Sequence, residues 1–310
     1  MSKKIKIICV VGPTACGKTK LGVEIAKALD GEVISADSMQ IYKGMHIASA
    51  AADPGETEGI PHHLTEFLPY GESFTVYDWV KCAREKITEI ASRGKVPIIV
   101  GGTGLYINCL VDNIELTETK TDFALRKSLQ ERAKAEGGEK LLAELKEIDP
   151  EYANKLHAND TKRIIRALEI YKTTGLNPTQ QNKISKRNKS PYTAVIIGMN
   201  YKDRSLLYDR INRRVDLMVE AGLLEEAKKA FLLQSNKTDG AVQAIGHKEL
   251  FPYFKGETTL EEALNHLKQS SRRYAKRQIT WFGARDDVNF VYPDCDPDIL
   301  KTVLEIIERQ

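Results

Sequence analysis

Near its start the chain runs Ile5-Lys6-Ile7-Ile8-Cys9-Val10-Val11, then Gly12-Pro13-Thr14-Ala15-Cys16-Gly17-Lys18-Thr19, then a helical pattern of Leu21, Ile25, Ala28 and Leu29. No other stretch limits the fold as tightly. A short β-branched run reads as a buried strand. The pattern G-x-x-x-x-G-K-T between a strand and a helix is the context that a phosphate-binding loop requires. The glycines let the backbone curl until several N–H groups face one anion, and the helix N-terminus adds its positive dipole end. In this reading Gly12 to Thr19 hold a diphosphate or nucleotide, Lys18 places a point charge on it, and the Thr19 hydroxyl is a ligand for Mg²⁺. The bland alternative is an ordinary glycine-rich turn, against which both flanking elements count. The loop leaves open which phosphorylated molecule it holds and what chemistry follows.

Length and composition narrow the rest. A chain of 310 residues, 42% hydrophobic and 29% charged, is expected to form about two globular domains. A net charge of +3 is too small to argue for nucleic acid, so the distribution of charge has to carry that question. The five cysteines (Cys9, Cys16, Cys82, Cys109, Cys295) are scattered and form no C-x-x-C pair. That disfavours a disulfide framework or a zinc site and makes a reducing cytoplasm the expected compartment. Cys16 lies near a helix N-terminus, where a thiol can be reactive, but a small loop-filling role is the simpler reading. Lys3, Lys4 and the apolar run after them are too short for a signal peptide, and no stretch approaches a membrane span.

Residues 32–36 read as a second strand, ending at Asp37-Ser38-Met39-Gln40. Ligands of doubly wound sheets sit beyond the carboxyl ends of the strands, so Asp37 is expected to face the crevice of Lys18 as metal ligand, general base or helix cap. His62 and His63 precede an expected strand at 64–68. Adjacent strand residues face opposite ways, so a shared metal is not expected there. A helix is expected over 77–92, then a buried strand over 96–100 ending in Gly101-Gly102-Thr103-Gly104. This second glycine turn brings the Thr103 hydroxyl to the same sheet edge. The strand over 96–100 ends in Gly and Thr where hydrolysis-coupled nucleotidases have an apolar run plus Asp.

The texture changes between about 122 and 189, where helices are expected over 123–136, 138–148, 150–156 and 160–174, followed by a basic linker of Lys183, Lys186, Arg187 and Lys189. The expected architecture is therefore α/β: a P-loop NTPase-like core, 1–120 and 190–310, with a mostly parallel sheet flanked by helices, and an all-α insertion domain, 121–189. Strand character returns over 193–199. Asp203 then caps a helix carrying Arg210, Arg213 and Arg214, whose paired arginines suit a diphosphate or a nucleic-acid backbone, or a plain surface. Thr259 and Glu262 mark the start of a further helix with Leu260, Leu264, Leu267, Tyr274 and Trp281 on a heptad-like stripe. Its opposite side gathers Arg272, Arg273, Lys276 and Arg277, with no acid from Gln269 to Ala284. Solvated faces usually mix signs, so this one favours a phosphate backbone.

Taken in order, G-P-T-A-C-G-K-T, S-A-D-S-M-Q-I-Y, G-G-T-G-L-Y, N-D-T-K-R-I-I-R-A-L-E, R-I-N-R-R-V-D-L-M, A-I-G-H-K-E and Y-A-K-R-Q-I-T-W-F resemble the bacterial tRNA dimethylallyltransferase (tRNA isopentenyltransferase) family, from the first strand to Phe282. The resemblance implies transfer of a dimethylallyl group from dimethylallyl diphosphate to the exocyclic amine of the adenosine just 3′ of the anticodon in tRNA, with Mg²⁺ as cofactor. It makes Gly12 to Thr19 the cradle of the prenyl diphosphate, Asp37 the general base and Thr103 a residue of the reaction channel. An arginine of the 210–214 helix lies near the diphosphate, with Arg210 and Arg214 not distinguished. Matching tRNA-contacting positions are Asp37, Ser38, Met39 and Gln40; Thr103; Arg126; Lys162, Arg163, Ile164, Ile165 and Arg166; Gln243, Ala244, Ile245, Gly246, His247 and Lys248; and Ser271, Arg272, Arg273, Tyr274, Ala275, Lys276, Arg277 and Gln278. Cys16 stands where serine is commoner and His247 where tyrosine is frequent.

The chemistry agrees: an allylic diphosphate ionises once its leaving group is stabilised, and a delocalised adenine amine needs a base such as Asp37. The target base has to be flipped out of its RNA loop, which calls for a basic platform. The expected partners are the tRNA anticodon stem-loop and dimethylallyl diphosphate, with no membrane, and a monomeric state. Three other readings stay open: an adenylate isopentenyltransferase on free nucleotides, a P-loop small-molecule kinase, and a non-catalytic RNA-binding protein.

Overall fold

The computed structural model describes residues 4–115, 122–185, 188–233 and 240–310, without the side chain of Gln243. The chain divides into two compact units, Met1–Val111 with Pro191–Gln310, and Asp112–Ser190.

The first unit is an α/β layer built on six strands: β1 (Ile5–Val11), β2 (Gly31–Ser35), β3 (His62–His63), β4 (Val96–Gly101), β5 (Tyr192–Met199) and β6 (Val288–Val291). They form one sheet in the order β3-β2-β4-β1-β5-β6, and every pairing is parallel. β1 lies between β4 and β5, with Ile7 to Val11 wholly buried. That explains its unbroken apolar run, since a strand covered on both faces needs no polar alternation. Ile8, Val10, Ile98, Val100, Val195 and Ile197 pack with Leu21, Ile25, Leu207, Ile211 and Val303. The alternate residues Ile7, Cys9, Ile99 and Ile196 point to the opposite face and are equally buried. Because all strands run the same way, their carboxyl ends share one edge. Gly12, Asp37, Thr103 and Met199 lie there.

Two local expectations are corrected. The third strand is His62–His63, not 64–68, because Leu64 (φ +61°) and Glu66 (φ +48°) adopt left-handed conformations that end the extension. Leu68 makes only an isolated bridge to Tyr42. Trp281, assigned to the apolar stripe of the Leu260–Gly283 helix, is 43% exposed, whereas Leu267, Ala275, Gln278 and Phe282 form its buried side. A 3.5-residue stripe drifts about 20° per heptad on a straight helix, so by its third heptad Trp281 has left the core-facing side.

The second unit is all helix: Phe123–Glu136, Gly138–Ile148, Pro150–Ala153, Thr161–Thr174 and Pro178–Ser185. Leu129, Leu141, Leu145, Ile164 and Leu168 form its core. Buried Asp149 ties it together, accepting from the backbone N–H groups of Tyr152 (3.0 Å) and Thr179 (2.8 Å) and the Thr179 hydroxyl (2.8 Å). Pro178–Ser185 takes up part of the stretch read as a linker, and Lys186 and Arg187 lie outside the described residues. The units part at Val111, not at 120. Asn113 and Glu115 already bond across the second unit, Glu115 N–H to Ser185 O (2.8 Å) and Asn113 Nδ2 to Lys189 O (3.2 Å).

Candidate active site

The phosphate loop takes the shape its residues foretell. Gly12 has φ +144°, and a Cβ there would lie 2.3 Å from the Met199 carbonyl oxygen, so no side chain fits where the loop crosses the end of β5. The loop reaches the Lys18–Ala28 helix through Gly17, which is left-handed at the N-cap and offers no side-chain cap. The first-turn N–H groups are thus free to face an anion. Lys18 Nζ lies over the loop, donating to Pro13 O at 2.6 Å.

Both candidate arginines touch this loop. They sit one turn apart on the Arg204–Glu220 helix, started by Asp203, whose carboxylate accepts from Ser205 N–H at 2.8 Å. Arg210 Nε donates to Ala15 O (3.0 Å), and Arg214 Nη1 to the Thr14 hydroxyl (3.3 Å). Burial pulls the Arg214 pKa down and the Asp37 carboxylate is the chief opposing influence, while guanidinium remains charged throughout.

Asp37 follows the carboxyl end of β2. One carboxylate oxygen accepts from Met39 N–H (2.8 Å) in a tight turn. Its charge is felt by two phenols. Burial first and Asp37 second push Tyr106 and Tyr274 far above the ordinary tyrosine value, so both stay neutral donors at working pH. Thr103 joins these parts, its hydroxyl accepting from Ser38 N–H (3.1 Å) and sharing a hydrogen bond with Tyr274. Lys18, Thr19, Asp37, Arg210, Arg214 and Tyr274 line one cavity of about 840 Å³.

The Leu260–Gly283 helix closes the site. Its Thr259–Glu262 capping box forms as the sequence foretells. Gln278, only 5% exposed, accepts from Thr14 N–H (2.9 Å) and donates to Gly102 O (3.1 Å), bracing one glycine turn against the other. Nothing local in the sequence signals this brace, because its partners lie 264 and 176 residues away. Arg273, Lys276 and Arg277 are exposed, with the Arg277 guanidinium 5.4 Å over the Tyr274 ring. Arg272 instead donates to Asn212 Oδ1 at 2.5 Å.

Several expected RNA-contacting side chains are buried. Ala244, His247 and Ala275 lie in the core of the α/β unit, and Ile164 and Ile165 in that of the helical unit, all at most 6% exposed. In the structure these five side chains are packed inside their own units, His247 against the Glu226 carboxylate at 2.9 Å. Gln40 is also engaged internally, accepting from the Ser35 hydroxyl (2.7 Å) and donating to Ala50 O (3.1 Å). In the helical unit Arg126 and Arg166 both pair with buried Glu169, at 2.9 and 3.1 Å, while Lys162 and Arg163 are exposed. The Gln243 side chain lies outside the described residues. His62 Nδ1 donates to Ile60 O, and His63 bonds separately to Glu32. Among the described residues no group of three His, Cys, Asp or Glu side chains is placed to hold a metal.

An IPP transferase family model matches residues 40–286, and an isopentenyl transferase model matches residues 5–69. The chain belongs to the IPP transferase family. Within it, the chain is 46% identical to the tRNA dimethylallyltransferase of Caldanaerobacter subterraneus, over 94% of this chain and 92% of that one. It is 48% identical to that of Bacillus subtilis, over 96% and 93%. The fold matches the crystal structure of the full-length tRNA isopentenylpyrophosphate transferase of Bacillus halodurans with a TM-score of 0.73, at 44% identity and 99% and 98% coverage. It also matches a eukaryotic dimethylallyltransferase solved acting on tRNA, with a TM-score of 0.81 at 30% identity, over 97% of this chain and 78% of that one. The α/β family fold expected from the motifs is the one present.

Proposed function

We propose that this family member transfers a dimethylallyl group from dimethylallyl diphosphate to the exocyclic amine of the adenosine 3′-adjacent to the anticodon in tRNA, releasing diphosphate. The observation carrying this reading is a phosphate loop and a carboxylate, Asp37, facing one cavity beside a basic helix, with glycine and threonine where a nucleotidase strand ends in an acid. The relatives named above support the same reading.

The loop N–H groups, Lys18, Arg210 and Arg214 bind the diphosphate and stabilise the charge that grows on it as the allylic C–O bond breaks. Asp37 accepts the proton that the adenine amine gives up as the C–N bond forms. Its turn with Met39 holds one carboxylate oxygen and leaves the other for this task. Tyr274 and Thr103 fix the Asp37–Ser38 corner, and Gln278 holds the loop against the second glycine turn.

Thr19 offers a hard oxygen donor to the cavity that Asp37 also lines. That small set fits an Mg²⁺ ion completed by diphosphate oxygens and water, not a cage of protein ligands. Such an ion would neutralise leaving-group charge, with Thr19 holding it. Arg273, Lys276 and Arg277, together with Lys162 and Arg163 of the helical insertion, carry the tRNA backbone, and Glu169 sets Arg126 and Arg166 for the same purpose. Among the described residues no helix is long and apolar enough to cross a membrane.

The test is incubation with labelled dimethylallyl diphosphate and either tRNA or AMP. Label in tRNA alone is expected. Label in AMP alone would sink the tRNA assignment, and phosphate transfer without prenyl transfer would make the enzyme a kinase.

A further inference from the structure

Besides the phosphate loop, the cavity is lined by two turns far apart in sequence, Ala48–Ser49–Ala50 and Ala244–Ile245–Gly246 with Lys248. They touch so closely that a Cβ on Gly246 would lie 2.9 Å from Ala48 Cβ. Neither turn belongs to the sheet, and what fastens them is one carboxylate. Glu226, in the first turn of the Leu223–Leu233 helix, accepts from Ile47 N–H (2.8 Å) with one oxygen. With the other it accepts from Ala48 N–H (2.9 Å) and His247 Nε2 (2.9 Å). Its side chain is 11% exposed and that of His247 is fully buried.

Burial alone would raise the Glu226 pKa. The bonds from His247, Ala48 and Ile47 outweigh it and hold the carboxyl below the ordinary glutamate value, so it stays ionised. The wall it fastens also reaches the catalytic strand end, because Gln40 Nε2 donates to Ser49 O (3.4 Å) and Ala50 O (3.1 Å) while its Oε1 accepts from the Ser35 hydroxyl. None of the Glu226 bonds described here involves the phosphate loop.

We propose that Glu226 is a positioning residue for the acceptor: its carboxylate, clamping the 46–50 turn to the 244–248 turn through Ile47, Ala48 and His247, sets the wall against which the RNA nucleotide seats. This rests on the tRNA reading above. It also gives the internal histidine of A-I-G-H-K-E a task, as the donor that ties the second turn to the clamp.

Removing the carboxylate leaves two backbone N–H groups and a buried imidazole without their acceptor, and the two turns part. Glu226→Ala is therefore expected to raise KM for tRNA about tenfold or more with kcat within about threefold. Kd for inorganic diphosphate should stay within about twofold, since the loop is untouched. Amide exchange at Ile47 and Ala48 should accelerate at least about tenfold while the 12–19 loop is unchanged. Glu226→Gln should fall between, since its amide group faces donors on one side. His247→Phe keeps volume and both backbone bonds and should raise KM about threefold.

An unchanged tRNA KM in folded Glu226→Ala overturns the proposal, and so does a parallel rise in the diphosphate Kd, which would make Glu226 a general scaffold residue. If Glu226→Ala does not fold, Glu226→Gln and His247→Phe decide on the same KM-against-Kd criterion. If the wild-type enzyme does not prenylate tRNA, the functional reading fails, and the exchange rates at Ile47 and Ala48 still decide whether the clamp exists.

Discussion

Replacing Gln278 by alanine removes two neutral hydrogen bonds and leaves the Thr14 N–H and the Gly102 carbonyl facing a small void. Each buried partner stranded in this way costs about 1–3 kcal/mol, so the pair is expected to cost about 2–6 kcal/mol, chiefly as lost order in the loop. Since about 1.4 kcal/mol is a factor of ten in binding, diphosphate affinity should weaken about 5–150-fold if half of that order has to be restored on binding. Titration calorimetry with inorganic diphosphate reads the affinity, and urea unfolding reads the fold. The charge variant sharpens the argument. Gln278→Glu keeps an acceptor for Thr14 N–H, loses the donor to Gly102 O and adds a negative charge beside the anion site, so binding should suffer more than stability. Diphosphate affinity within twofold of wild type in folded Gln278→Ala would refute the brace.

Asp37→Asn retains an oxygen acceptor for Met39 N–H and removes the proton acceptor, so kcat should fall about 10²–10⁴-fold with tRNA affinity little changed; single-turnover rates and filter binding compare the two, and equal losses would make Asp37 a structural residue. Arg273→Ala with Arg277→Ala should reduce the slope of log Kd for tRNA against log salt by roughly 1.5, because two phosphate contacts are lost; an identical slope would return those side chains to plain surface. In the helical unit, Asp149→Ala should destabilise by about 3 kcal/mol or more by stranding three donors. Burial opposes but bonds from Thr179 and Tyr152 prevail, so the folded Asp149 carboxyl lies below its ordinary value. Its stabilising contribution is therefore present above the unfolded pKa of about 4 and is lost as pH falls through the lower folded value. Melting temperatures of wild type and Asp149→Ala should converge in that window and stay apart at neutral pH.

What could be read from the sequence is what is written contiguously. The phosphate loop, the Thr259–Glu262 cap and the strand ends at Asp37 and Thr103 each depend on a handful of neighbouring residues. The parallel sheet then brings those ends to one edge without further instruction. Partnerships between distant positions left no such mark. Gln278 looks like one more polar residue of a basic helix until Thr14 and Gly102 are found beside it. Glu226 looks like a solvated first-turn acid until the Ile47 and Ala48 amides are found against it. Ile164, Ile165 and Ala275 show the converse. A motif that marks a binding segment includes the residues that hold it in place as well as those that touch the ligand.

The sheet order has a bearing on how the polypeptide is made. β1 emerges first, yet one of its two neighbours is β5, which follows the whole helical unit. At about 5–20 residues per second, the roughly 190 residues between Val11 and Met199 take the ribosome roughly 10–40 s to supply. Throughout that interval one flank of the most apolar strand has no native partner, and an unpaired hydrophobic edge invites pairing with other chains. The phosphate loop is likewise unfinished, since the Met199 carbonyl that Gly12 packs against and the Gln278 that braces Thr14 have not been made. A polypeptide cut after the first unit's opening segment would carry the whole phosphate-binding motif and still lack the surroundings that shape it.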